Sequence, residues 1–117
     1  MISAHFSRSE FACKCGCGFD TVDVELAKVL EYVRDYYGVP IVINSGCRCP
    51  AHNDSVGGSS SSQHLLGKAA DFRVVGVGEE KVTKLLKEKY PNQYGIGLYE
   101  GRTHIDVRSN EKARWEA

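Results

Sequence analysis

A chain of 117 residues, with 42% hydrophobic and 26% charged side chains, has the make-up of an ordinary globular protein and is expected to form a single domain over residues 1–117. Its formal net charge is zero, which argues against nucleic acid as a partner, because such proteins carry a basic surplus or stripe. Met1 to Arg8 holds no signal-peptide core and no apolar run approaches membrane-spanning length, so neither an export signal nor membrane insertion is expected.

Phe6-Ser7-Arg8-Ser9-Glu10-Phe11 reads as a short helical turn, with Ser7 and Glu10 at the spacing of a capping box. The Cys/Gly-rich segment 13–18 is a loop or tight strand. A helix is predicted from about Val22 to Tyr37: Leu26, Val29, Leu30, Val33 and Tyr37 recur at helical spacing, and Gly38 and Pro40 stop it. Val39 to Asn44 is apolar and β-branched, which predicts a buried strand. Ser45 to Ser61 is expected to be a long polar, mobile connection that faces substrate, since a loop of this length is more often functional or disordered than idle. Ala69 to Val75 alternates as a strand, Glu79 to Tyr90 forms a second helix, and segments 94–99 and 103–108 form a hairpin turning near Glu100-Gly101-Arg102. The tail, Ser109 to Ala117, is polar apart from Trp115, which is expected to dock on the body.

His64 stands seven residues before Asp71, and imidazole and carboxylate are two of the side-chain types that bind Zn²⁺. In the last predicted strand, period-two alternation puts His104 and Asp106 on one face and Ile105 and Val107 on the other. With the apolar pair facing the core, His104 is available as a third ligand. Two histidines and a carboxylate with one open position form a catalytic rather than a closed zinc site. Each residue alone is better explained as a surface, capping or ion-pair group; the combination is what points to a metal.

These residues resemble the M15 metallopeptidases, a family of zinc D-Ala-D-Ala carboxypeptidases and phage or bacterial peptidoglycan endopeptidases that shares its fold with hedgehog-type proteins. The family pattern Ser-x-His-x-x-Gly-x-Ala-x-Asp is matched throughout by Ser62, His64, Gly67, Ala69 and Asp71. The preceding Ser-Gly-x-Arg is Ser45-Gly46-Cys47-Arg48, and the closing motifs are Gly95-Ile96-Gly97-Leu98-Tyr99 and His104-Ile105-Asp106. The resemblance covers about Phe6 to Arg108. It implies an α+β fold: a small antiparallel sheet carrying the zinc site, with two main helices packed on one side, in the hedgehog/DD-peptidase manner.

It also implies roles. His64, Asp71 and His104 would hold one catalytic Zn²⁺. Arg48 would hold the substrate carboxylate or stabilise the oxyanion. Ser62, Gln63 and Tyr99 would bind the peptide. The sequence departs from the family at the general base, because many members carry Glu three residues before the last ligand and this chain has Gly101 there. Glu100 and Asp106 remain the two candidates. A hedgehog-type alignment of Tyr99-Glu100-x-x-x-His104-x-Asp106 would instead make Asp106 the third ligand and His104 a catalytic partner.

The resemblance further implies hydrolysis of peptide bonds in peptidoglycan stems or cross-links, by a monomer that a phage lysis pore would release from the host cytoplasm to the wall. A catalytically silent, zinc-stabilised module binding cell wall or protein is the alternative. The five cysteines fall into two groups, Cys13, Cys15 and Cys17, then Cys47 and Cys49. An odd number cannot pair fully in disulfides. A second, structural zinc site is one reading of them and plain thiols are the other.

Overall fold

The computed structural model describes residues 2–109 and 112–116. The expectation for the N-terminus begins at Met1, and that for the tail includes Asn110, Glu111 and Ala117; these four lie outside the described residues. The fold is α+β. A 3-10 turn (Arg8–Phe11) precedes helix α1 (Val24–Tyr37), strand β1 (Ile41–Ser45) and helix α2 (Pro50–Ser55). A second 3-10 turn (Gln63–Leu66) leads into β2 (Ala69–Val74), α3 (Glu79–Lys89), β3 (Gly95–Tyr99), β4 (Arg102–Asp106) and β5 (Ala113–Glu116). No helix among the described residues is long and apolar enough to cross a membrane.

Local chemistry sets most of these boundaries. Asp23 caps α1, its carboxylate accepting the Glu25 N–H at 2.8 Å. Gly38 ends that helix in the left-handed region, at φ 66°. The first 3-10 turn carries the expected capping box of Ser7 and Glu10, in which the Ser7 N–H donates to the Glu10 carboxylate at 2.7 Å.

Among the described residues five strands lie in the order β1-β2-β4-β3-β5. The first four pair antiparallel, but β5 runs parallel to β3, so the wholly antiparallel sheet expected from the sequence is corrected to a mixed one. The reason is topological. β4 is already flanked by β2 and β3, so the chain reversing after β4 passes to the neighbouring open edge of β3, and there it runs parallel. Among the described residues the helices number three rather than two. The extra one, α2, lies in the stretch expected to be a long polar, mobile connection. It has Pro50 in its first turn and Cys49 as its cap, with the Cys49 sulfur accepting the His52 N–H at 3.4 Å.

One face of the sheet is the core. Ala70, Phe72 and Val74 of β2, Ile96 of β3 and Ile105 of β4 are buried with Leu26, Val29, Leu30 and Val33 of α1 and Val82 and Leu86 of α3. Asp71, alternating with Ala70 and Phe72, stands on the opposite face, and the antiparallel register sets it directly across from His104. Gly97 and Gly95 of β3 lie across from His104 and Asp106 on the other side. The polar residues in the middle of an apolar sheet thus share one surface.

Candidate active site

His64 sits in the 3-10 turn Gln63–Leu66, where Ser62 caps the turn by accepting the His64 N–H at 3.2 Å. Gly67 ends the turn at φ 68° and its carbonyl accepts the Asp23 N–H at 2.9 Å. A β-carbon at Gly67 would overlap Thr21, so this Gly lets the turn lie against the segment entering α1. The His64 imidazole is buried, and its Nδ1 donates to the Gly46 carbonyl at 2.5 Å. That bond places a proton on Nδ1 and leaves Nε2, 3.5 Å from Asp71 Oδ2, as the ring nitrogen available to a metal.

His104 completes the group. Its Nδ1 lies 2.8 Å from Asp71 Oδ1, and its Nε2 lies 2.8 Å from Asp106 Oδ2. His64, Asp71 and His104 are all buried, and one ligand atom from each falls within 4.8 Å of the others. Burial alone would raise the Asp71 carboxyl, but His104 and His64 outweigh it and hold it below the usual carboxylate range. Burial lowers the His104 imidazole, yet Asp106 and Asp71 overcome this and raise it. Two imidazoles and a carboxylate, held together by partners on their outer sides, form a donor set suited to Zn²⁺.

Asp106 is fully buried and both its oxygens are engaged. Arg108 donates from Nε to Oδ1 at 2.7 Å and from Nη2 to Oδ2 at 2.8 Å, besides the His104 contact. Burial raises this carboxyl, but Arg108 and His104 bring it below its ordinary range. Asp106 therefore sits on the far side of the His104 ring from Asp71. Glu100 is exposed in the β3–β4 turn. It lines a second cavity of about 540 Å³ that also contains Arg48, Asp71 and Arg102.

The buried group opens into a cavity of about 600 Å³, lined by residues 56–59 and 61–63 and by Tyr99, Arg102 and Trp115. Ser62, Gln63 and Tyr99 all line it, as does Arg48. Arg48 follows the end of β1 and its backbone N–H donates to the His64 carbonyl at 2.9 Å. Its guanidinium donates to Ser45 Oγ at 3.2 Å, to Asn53 Oδ1 at 3.2 Å and to Asp71 Oδ2 at 3.4 Å.

Four residues of this site were not assigned to it from the sequence. Asn53, buried in α2, aims Arg48 and donates to the Ser59 carbonyl at 2.9 Å, which ties the serine loop to the site. Its signal was Pro50 three residues earlier, opening a helix. Arg108 clamps Asp106 as above; its signal was the two-residue spacing from Asp106. Arg102 lies over the Tyr99 ring, 4.4 Å from its centroid. Trp115 of β5 packs on His104 with centroids 4.9 Å apart and donates from Nε1 to Tyr99 Oη at 2.8 Å. Its docking was expected, but not its target. The two glycines of β3 make this possible: a β-carbon at Gly95 would overlap the Asp106 carboxylate, and one at Gly97 would overlap the Trp115 indole.

The cysteines regroup. Cys13, Cys15, Cys17 and Cys49 come together, their sulfurs within 4.8 Å of one another, while Cys47 stands apart. Burial raises the Cys13 thiol, but the Cys49 N–H donated to its sulfur and the contact with Cys15 outweigh this and bring it to about 7. Cys15, crowded by Cys13 and Cys17, is pushed up to about 12.

No curated protein matches the sequence. The profile of the family described as Peptidase M15 matches residues 4–106, a span that contains every candidate ligand of the buried group and ends on Asp106. The chain belongs to the Peptidase M15 family.

Proposed function

We propose that this M15 peptidase hydrolyses peptide bonds of bacterial peptidoglycan with one Zn²⁺ held by His64, Asp71 and His104. The observation that carries the reading is the convergence of those three buried side chains at the floor of a cavity that Arg48 also enters. Bound there, zinc supplies Lewis acidity to the scissile carbonyl and makes water a stronger acid.

The chain's own residues do the rest. His64 presents Nε2 because Gly46 holds its Nδ1 proton. Asp106 accepts a hydrogen bond from His104 Nε2–H and so keeps Nδ1 free for the ligand group. With both oxygens committed to Arg108 and His104, Asp106 is a positioning residue rather than the base. Glu100 is the carboxylate free for proton transfer: among the described residues its side chain has no hydrogen bond or ion pair, and its cavity shares Arg48 and Asp71 with the site. It accepts the proton of the attacking water and returns it to the leaving amine. Arg48 steadies the developing oxyanion or a substrate carboxylate through its planar fork.

Peptidoglycan stem peptides suit the cavity because they carry carboxylates beside the bonds to be cut. Arg48 and Arg108 spend part of their charge on Asp71 and Asp106, whereas Arg102 has no ion-pair partner among the described residues and faces the same space. A monomer released from a host cytoplasm to the wall through a phage lysis pore fits this substrate. Digestion of purified peptidoglycan, with mass spectrometry of the products, tests the reading against His64→Ala. New peptide termini from wild type and none from the variant are expected. Zinc-loaded wild type that releases no termini from several wall types would establish the silent binding module instead.

A further inference from the structure

We propose that Cys13, Cys15, Cys17 and Cys49 bind a second Zn²⁺ in a closed tetrahedral thiolate site that braces the segment carrying Arg48. The metal assignment stands apart from the peptidase reading; only its consequence for Arg48 rests on it.

Distances decide between a metal site and a disulfide. Cys13 Sγ lies 3.4 Å from Cys15 Sγ and 3.8 Å from Cys49 Sγ, and Cys15 Sγ lies 3.6 Å from Cys49 Sγ. A tetrahedron of sulfurs at the Zn–S distance of about 2.3 Å has edges of about 3.8 Å. A disulfide needs about 2.05 Å and joins two sulfurs, not three or four. The observed spacing is that of ligands around a common centre.

The backbone supports thiolates here. The Cys49 N–H donates to Cys13 Sγ at 3.4 Å, and the His52 N–H, in the first turn of α2, donates to Cys49 Sγ at 3.4 Å. Gly16 and Gly18, at φ 82° and 91°, turn the chain between and after the ligands, which lets alternate residues aim at one point. The Cys13 N–H donates to the Phe19 carbonyl at 2.7 Å and closes the loop.

Cys47 shows the contrast. It is buried, and its sulfur donates to the carbonyls of Phe11 at 3.2 Å and Phe19 at 3.0 Å. A group that donates keeps its proton, so Cys47 is a thiol and not a ligand. It leaves four sulfurs, the number a closed zinc site needs.

The site has work to do. Residues 12–23 contain no helix or strand, so little else orders them. Four thiolates on one metal would join this loop to Cys49, the cap of α2 and the neighbour of Arg48. Arg48 is already held from α2 by Asn53. Fixing Cys49 therefore fixes both the backbone beside Arg48 and the helix that aims its guanidinium.

Metal counting on the full-length chain, loaded with zinc and desalted, tests the proposal. Two zinc ions per chain are expected in wild type, one in Cys15→Ser/Cys17→Ser and one in His64→Ala. Loss from the serine variant and from the histidine variant are separate readings, so failure of one site is distinguishable from failure of the other. Cobalt substitution of wild type provides a check that needs no variant: thiolate-to-cobalt charge-transfer absorption is expected, and it persists in His64→Ala. A thiol reagent should leave exposed Cys15 and Cys17 unmodified until a chelator is added. Immediate modification of both in zinc-loaded protein, a wild type whose only zinc is lost with His64→Ala, or a disulfide found among these cysteines by mass spectrometry would each overturn the proposal.

Discussion

An Asp106→Asn substitution removes one charge and almost no volume beneath the proposed zinc ligands. Arg108 donates to both Asp106 oxygens, at 2.7 and 2.8 Å, so the new amide group meets a donor whichever way it turns. Turned toward Oδ1, its NH₂ opposes Arg108 Nε. Turned toward Oδ2, it opposes Arg108 Nη2 and offers a proton to His104 Nε2, which lies 2.8 Å away. That second arrangement favours the His104 tautomer with its proton on Nδ1, the atom facing Asp71. A protonated Nδ1 cannot bind metal. Replacing the outer partner of a metal-ligating histidine costs about 10–100-fold in affinity, or ~1.4–2.7 kcal/mol. The mismatched buried donor adds a stability loss of about 1–3 kcal/mol in the chelated protein. Zinc competition against a chelating dye reads the first quantity and thermal unfolding with chelator reads the second. Wild-type zinc affinity in Asp106→Asn, at the site that His64→Ala abolishes, would refute the tautomer argument.

Glu100→Gln should lower kcat by about 10²–10⁴-fold with zinc content unchanged; full activity would remove Glu100 as the base. Arg48→Lys keeps the charge but loses the fork shared by Ser45 and Asn53, and should raise KM by about tenfold, or ~1.4 kcal/mol, in a peptide-release assay. Gly97→Ala places a β-carbon in the indole of Trp115, the only tryptophan, and should destabilise the fold by about 1–3 kcal/mol while red-shifting tryptophan emission. In metal-free protein His104 is held above its ordinary pKa, because Asp106 and Asp71 outweigh burial. The stability from its charge is then fully present below the unfolded value of about 6.5 and is lost as pH rises through the raised folded value. Zinc needs the neutral ring, so loading reverses the sign and binding strengthens as pH rises. Imidazole NMR with and without chelator follows both, and a His104 ring that titrates alike in the two states contradicts its assignment as a ligand.

The sheet face carrying the site was legible because strand periodicity is strict. His104 and Asp106 alternate with the buried Ile105, so a correct strand assignment alone placed both on the side away from the core. What alternation cannot give is the direction of the carboxylate along that face. Asp106 was an equal candidate for base until Arg108, two residues on, was seen to occupy both its oxygens. Helix α2 escaped for a different reason. Six residues, Pro50 to Ser55, are too few to show an apolar period, and the segment is polar throughout. The parallel pairing of β5 was hidden too, because it depends on which sheet edge remains open after β4 and not on any residue in β5.

The cysteines show the limit most clearly. Sequence proximity pairs Cys47 with Cys49, yet the chain changes course between them. Cys47 lies at the end of an extended run, where its N–H bonds to Phe11, while Cys49 is already the cap of a helix. Their side chains consequently diverge: one enters the core and donates to two carbonyls, the other turns out to meet Cys13 and Cys15. Arg48 is the residue at the bend. Its backbone N–H is held by His64, and its side chain by α2 on one side and β1 on the other. A bend so heavily tied on one face and bounded by Cys49 on the other has little freedom left once Cys49 is fixed. If the four sulfurs do hold a metal, the loss of Cys15 and Cys17, which lie outside the cavity lining, should weaken substrate binding through Arg48 more than it slows the chemical step.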